Sequence, residues 1–408
     1  MAVNNRIFYS CQGVGITPTG QTTDLSDLQM VHGLQSAAIT TNFNLEQVFE
    51  LGQLEIYENI EGTPDVEVTL EKVLDGYPLI YHMASSGDVA GTAESGIAAR
   101  SKARCDVRLG IFDEAANNIA DQDSSVEVAM TGMYVSNLSY NFATDGNFTE
   151  SVTLVGNNKV WLKGGEDDAD MKIKTTSTSK FDGNDSPFGV GDVDGLPSGG
   201  VQRREDFIME GCILPLTIDG ILTSEYGNAR FPDGSPEEGQ NRVHLQSVSV
   251  STDYSRDDIL ELGRKTPYYR PANFPIEVST EIEAITLSGD FVGAYEYGDP
   301  KFDNTAASGN NLSDDSIFII TRMGYALDLG SKNKISSVSY GGGDAGGGNA
   351  TVTYSYVNFN DLDVQNANPE SAGGTAYIGF GYLKGESNAS LSGAYDWVWK
   401  DDIVWDTP

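Results

Sequence analysis

The sequence predicts a mainly β chain of two tandem units, and three observations carry that reading. Apolar and polar residues alternate with period two in several short runs, the signature of half-buried strands. Glycine supplies 46 of 408 residues, well above the usual ~7 %, and much of it is bunched with Asn, Asp and Ser as turn punctuation. The two halves of the chain also repeat one another, which points to two folded units.

The repeat is ungapped where it is strongest. Leu34 to Gly52 (LQSAAITTNFNLEQVFELG) lies over Leu245 to Gly263 (LQSVSVSTDYSRDDILELG) at a shift of 211, with seven of 19 positions identical. VEVTLEKV from Val66 then lies over IEVSTEIE from Ile276. Leu138 to Leu154 lies over Val338 to Tyr354 at a shift of 200. His32 is matched with His244 and Cys11 with Cys212, the latter with a spacing difference of about ten residues.

Each block has a local reading. Ala37, Ile39, Thr41 and Phe43 alternate with polar neighbours, as do Val248, Val250, Thr252 and Tyr254, so each run is a half-buried strand. Asn44 and Ser255 follow as helix N-caps, and Gly52 and Gly263 stand in the helix-stop position, which predicts a short helix of about two turns in each copy. The next strand carries Val66, Val68 and Leu70 on one face with Glu67 and Glu71 on the other. Its counterpart sets Ile276, Val278, Thr280 and Ile282 against Glu277, Glu281 and Glu283, so both copies present a row of carboxylates. The third block is a hairpin, turning at Asp145-Gly146 in one copy and through the glycine run Gly341 to Gly348 in the other.

These blocks divide the chain into a first unit over 1–162, a Gly-, Asp- and Ser-rich linker or excursion over 163–205, a second unit over 206–365 and a C-terminal strand or arm over 366–408. The arm holds a predicted strand at Tyr377 to Lys384 and ends in Trp397, Trp399 and Trp405.

Net charge is −35, from 60 acidic and 25 basic residues, which excludes a protein that grips nucleic acid through its phosphates. No run approaches the 18 to 20 apolar residues of a membrane-spanning helix, and the polar start has no apolar signal region behind it. Three cysteines without CxxC spacing argue against a disulfide framework or a structural zinc site. His32, His82 and His244 fall in no nucleophile-base-acid pattern, Asp182 to Gly195 lacks the spacing of a calcium loop, and the glycine run has no following Lys-Ser/Thr. The expectation is therefore no enzyme, no metal and no cofactor.

Three stretches together resemble the tail tube proteins of long-tailed bacteriophages: Glu261 to Glu283 (ELGRKTPYYRPANFPIEVSTEIE), its partner Glu50 to Glu71, and the hairpin Asn137 to Gly156 (NLSYNFATDGNFTESVTLVG). The resemblance covers most of 1–162 and 206–360. It implies β-sandwich or split-barrel tube units, each with a short flanking helix. It also implies a structural virion protein, assembled in the host cytoplasm, whose homotrimeric rings are pseudo-hexameric and stack into a conduit for viral DNA. The implied partners are other copies of the chain, a tape-measure protein, tail terminator and baseplate proteins, and DNA in transit. On that reading the row Glu67, Glu71, Glu277, Glu281 and Glu283 either lines the lumen or solvates the outside. A baseplate hub or distal tail protein, and a secreted β-sandwich module binding a glycan or receptor, are the other readings.

Overall fold

The computed structural model describes residues 7, 9–19, 28–52, 54–75, 77–85, 96–112, 124–164, 173, 201–210, 244–285, 292, 314–321, 325–343 and 348–366. The arm over 367–408, the loop Asp182 to Gly195, the strand at Tyr377 to Lys384 and Cys212 lie outside them.

In the first half the strands are β1 (Gln12–Pro18), β2 (Gln29–Met30), β3 (Leu34–Asn42), β4 (Leu45–Phe49), β5 (Ile56–Glu61), β6 (Asp65–Val73), β7 (Cys105–Ile111), β8 (Val126–Ala143), β9 (Thr149–Gly156) and β10 (Val160–Lys163). Two short helices, α1 (Ile80–Ser85) and α2 (Ile97–Arg100), lie between β6 and β7. The second half contributes β11 (Phe207–Glu210), β12 (His244–Asp253), β13 (Glu277–Ile285), β14 (Phe318–Thr321), β15 (Tyr325–Asp328), β16 (Lys334–Gly341), β17 (Thr351–Phe359) and β18 (Asp363–Asn366). The molecule is mainly β, in antiparallel sheets.

One long sheet has the order β3-β6-β9-β8-β12-β13-β17-β16. Four strands come from each half, and each half lays its strands down in the same order. The irregularities match too. A bulge falls at Gln35 in β3 and at Gln246 in β12, and another at Ser136 in β8 and at Ser336 in β16.

The alternation expected on these strands is present. Val66, Val68 and Leu70 of β6, Val152 and Leu154 of β9, Val278 and Ile282 of β13, and Tyr354 and Tyr356 of β17 all point into one continuous core. A second layer covers that buried face. In the first half it is β1-β7-β8-β10, with β8 long enough to serve both layers: Val126–Met133 pairs with β7 and β10, and the rest with β9 and β12. In the second half it is β11-β14-β15-β18, and the long strand is divided into β15 and β16 around Gly330, whose φ of +69° suits glycine. This small sheet docks on α1 of the first half. Tyr325 donates its hydroxyl to the Tyr77 carbonyl at 2.6 Å, and His82 Nε2 donates to the Val364 carbonyl at 2.7 Å.

Several expectations need correction. The segments after Asn44 and Ser255 are not helices. Leu45–Phe49 is β4, in a hairpin with β5, and its counterpart carries a single bridge between Ile259 and Tyr269. Asn44 and Ser255 have φ of +49° and +41°, which an N-cap residue does not adopt, because each amide donates to the side chain two residues back, Asn42 Oδ1 and Asp253 Oδ1. Gly52 and Gly263, at φ +96° and +87°, serve the turns at the arm tips rather than helix stops. The helix of the first half is α1 instead, and the corresponding stretch of the second half lies largely outside the described residues. Strand pairing also moves the match of β6 on β13 by two residues: Leu70 corresponds to Ile282, and hence Asp65 to Glu277, Glu67 to Ser279 and Glu71 to Glu283. By the same pairing His244 takes the place of Gly33 rather than His32.

Of the segment expected as linker, Ile173 is buried with its N–H donating to Glu127 Oε2, and Gln202 bridges the Leu74 carbonyl and the Phe148 amide. The chain therefore returns to the strands of the first half at both points.

Candidate functional site

No described residue covers the face of the long sheet opposite the core. The residues alternating toward it are chiefly Ser, Thr, Asn and acids: Asp65, Glu67, Thr69 and Glu71 on β6, Ser247, Ser249, Ser251 and Asp253 on β12, and Glu277, Ser279, Glu281 and Glu283 on β13. All five residues of the acidic row thus lie on this one face. Ser36 donates to Glu71 at 3.4 Å and Ser247 to Glu283 at 3.2 Å, the same contact at equivalent places. The eight strands contain only two cations. Lys72 is fully buried, and Lys334, the first residue of β16, is paired with Asp314 at 3.7 Å. Such a surface repels polyanions within about a Debye length of ~8 Å at physiological salt.

The seam between β8 and β12 joins the halves. Its registered pairs include Tyr140 with Val250, Ser139 with Ser251 and Leu138 with Thr252. Beyond the paired residues, Tyr254 is fully buried and donates its hydroxyl to that of Tyr81 at 3.3 Å. Arg256 clamps the same corner. Its guanidinium donates to the carbonyls of Val135, Ser101 and Arg270, and stands 4.8 Å over the Tyr134 ring and 5.3 Å over that of Tyr254. Arg270, also buried, pairs with Asp65 at 2.7 Å and with Asp258. The second arm is thereby fastened onto the first half.

The two ends of the sheet differ. Among the described residues β3 pairs only with β6 and β16 only with β17. Phe43, at the place of Tyr254, is 58 % exposed, and Tyr340, at the place of Tyr140, is 51 % exposed against 1 % for Tyr140. The first arm, β4 and β5, shows solvent Leu45, Phe49, Leu51, Leu54 and Tyr57.

Under the first half lies a buried polar cluster. Lys72 and Glu150 are direct cross-strand partners on β6 and β9, both at inward positions. The Glu150 carboxylate accepts the Ile80 and Tyr81 amides at 2.7 and 3.1 Å, thus satisfying the first turn of α1, and the Tyr140 hydroxyl at 3.1 Å. Burial pushes Glu150 up, while Lys72 and these donors hold it down. Lys72 Nζ reaches Asp75 at 3.1 Å and the Pro78 carbonyl at 3.0 Å. The cluster fixes α1 against the sheet, and all its donors and acceptors face one another.

No family model matches the sequence, and no curated protein does. Among solved structures, the chain is similar to the tube-terminating cap of the anti-feeding prophage (16 % identity, 40 % of this chain and 95 % of that one, TM-score 0.28). It is similar also to a chain of the extended sheath-tube complex of an extracellular contractile injection system (11 %, 40 % and 94 %, TM-score 0.28). A chain of the anti-feeding prophage baseplate gives 7 %, 40 % and 98 %, with a TM-score of 0.29.

Asp145 and Gly146 form the exposed turn between β8 and β9, with Gly146 at φ +112°. His32 stacks on Tyr77 at 4.1 Å between centroids, and His82 is half-buried, its pKa lowered to about 3 by desolvation and by Arg100. Cys11 and Cys105 are buried. No group of three or more metal-ligating side chains occurs among the described residues. Sequence reading missed Glu150, Lys72 and the Arg256 clamp. The first two had a signal: the phase set by Val152 and Leu154, or by Val66 and Leu70, turns a charged side chain inward. Arg256 had none, because its partners are carbonyls of remote residues.

Proposed function

We propose that the chain is a tail tube subunit made of two fused tube units, about 1–162 and 206–365, and that three chains close into a pseudo-hexameric ring. The observation that carries this is the long sheet itself: two four-stranded halves in the same order, joined edge to edge, ending in the same two kinds of edge that are joined in the middle. Three chains supply about 24 strands, and at ~4.8 Å per strand the wall has a circumference of about 115 Å before tilt widens it. A barrel of that size encloses a channel rather than a packed core.

The buried face is already covered by the second layer and α1, so the opposite face lines the channel. Glu67, Glu71, Glu277, Glu281 and Glu283 then form a negative wall among hydroxyls, past which DNA travels without adhering. Rings stack into a conduit for genome delivery, with a tape-measure protein inside during assembly and terminator and baseplate proteins at the ends. The role is structural, not enzymatic.

Microscopy of the purified protein tests this reading. Rings or stacked tubes with an open centre are expected, and monomers at every concentration would overturn it. Changing the five glutamates to Lys tests the wall: assembled tubes that no longer release DNA are expected, and unimpaired ejection would contradict a lumenal row.

A further inference from the structure

The internal seam specifies the external one, residue by residue. We propose that β3 of one chain pairs with β16 of a second copy in the register of β12 on β8, and that this contact is held by apolar side chains without the arginine clamp; the proposal rests on the ring reading above.

The register follows from the two pairings. Val250 opposite Tyr140, Ser251 opposite Ser139 and Thr252 opposite Leu138 become Ile39 opposite Tyr340, Thr40 opposite Ser339 and Thr41 opposite Val338. Each replacement keeps the character of its pair: an aliphatic facing a tyrosine, two hydroxyls, and a threonine facing an aliphatic. Ala37 and Ala38 fall opposite Gly342 and Gly341, where no side chain obstructs the approach of the neighbouring backbone. Neither edge carries proline, and the bulges at Gln35 and Ser336 do not guard it, because the same bulges are present in the paired strands β12 and β8.

The occupant is a second copy because the complementary edge is on the chain itself. Phe43 takes the position of Tyr254, next to the Ser336 carbonyl of the neighbour where Tyr254 N–H meets that of Ser136. The arginines of the internal seam are not reproduced. Leu45 stands in place of Arg256 and Asn59 in place of Arg270, while Lys334 replaces Tyr134 and Glu277 keeps the acid of Asp65. Exposed Phe43, Leu45 and Tyr340 therefore supply the adhesion, which salt screens little.

The test is the full chain carrying Thr40→Cys and Ser339→Cys, oxidised after assembly and examined by denaturing gel and by microscopy. Covalent species up to three chains are expected, and an off-register pair, Ser36→Cys with Ser339→Cys, gives none. Cross-linking of only the off-register pair overturns the register, and rings in which neither pair cross-links overturn the edge pairing while the ring reading stands. Monomers alone overturn both. Phe43→Ala is expected to raise the concentration needed for rings by about tenfold or more, with Phe43→Tyr restoring assembly and neither changing the melting temperature of the unassembled chain. Rings persisting from about 50 mM to 500 mM salt are expected, and dissolution by salt would overturn the apolar assignment.

Discussion

The β8–β12 seam and the two ends of the long sheet are built from corresponding residues in opposite circumstances. In the seam Tyr140 and Tyr254 are buried, and Arg256 and Arg270 lock the second arm onto the first half. At the ends Tyr340 and Phe43 are exposed, and among the described residues β3 and β16 have one strand neighbour each. The same strand chemistry is thus seen once with its partner and once without it. The difference separates what folds one chain from what joins chains.

Substitutions on the two sides should divide accordingly. Tyr254→Ala empties a fully buried site and is expected to cost about 3–5 kcal/mol of folding stability. Phe43→Ala, at the corresponding exposed site, is expected to stay within about 0.5 kcal/mol in the unassembled chain. Chemical denaturation of both variants below the assembly concentration checks the contrast, and equal losses would break it.

The halves differ in a second way. Lys72 and Glu150 in the first correspond to Ala284 and Val352 in the second. Glu150→Ala leaves two helix amides and the Tyr140 hydroxyl without their acceptor and removes a countercharge beside buried Lys72, and is expected to cost about 3–5 kcal/mol. Val352→Ala removes only aliphatic packing and should cost less. Urea melts of the two variants provide the comparison.

His82, which ties α1 to β18, should make that contact acid-sensitive. With its folded pKa lowered to about 3, it binds fewer protons in the folded chain than in the unfolded one, where it titrates near 6.5. Its contribution is intact above pH 6.5 and is lost as pH falls from there toward about 3. At pH 5 the loss is about 2 kcal/mol. Raised groups such as Glu150 act in the opposite sense, so the comparison of wild type with His82→Gln isolates the term. The variant is expected to lose less stability than wild type between pH 7 and pH 5.

The smallest effect is expected on the open face. Changing Glu67, Glu71, Glu277, Glu281 and Glu283 to Gln should alter stability by about 0.5 kcal/mol or less at each position. Thermal melts check this, and a large loss would mean that the row holds the fold rather than coats a wall.

Much of the sheet was legible because period-two alternation is a strong signal in strands with one buried face, as Val66, Val68 and Leu70 against Glu67 and Glu71 illustrate. The arms were not. LEQVFELG and RDDILELG fit an amphipathic helix as well as a hairpin, and the deciding fact was a left-handed corner at Asn44 and Ser255 set by side chains two residues earlier. The two-residue error in laying β6 on β13 has a similar origin: a shift of two preserves the alternation, so pattern alone does not distinguish the registers, whereas backbone pairing does. Glu150 and Arg256 depend on partners far along the chain, which no local pattern reports.

The central claim is that the free ends of one chain's sheet are each other's partners and close after three copies. Native mass measurement of a single assembled ring tests it most directly. The account predicts three chains per ring, whereas a ring of six chains, or a chain that stays monomeric at all concentrations, would contradict it.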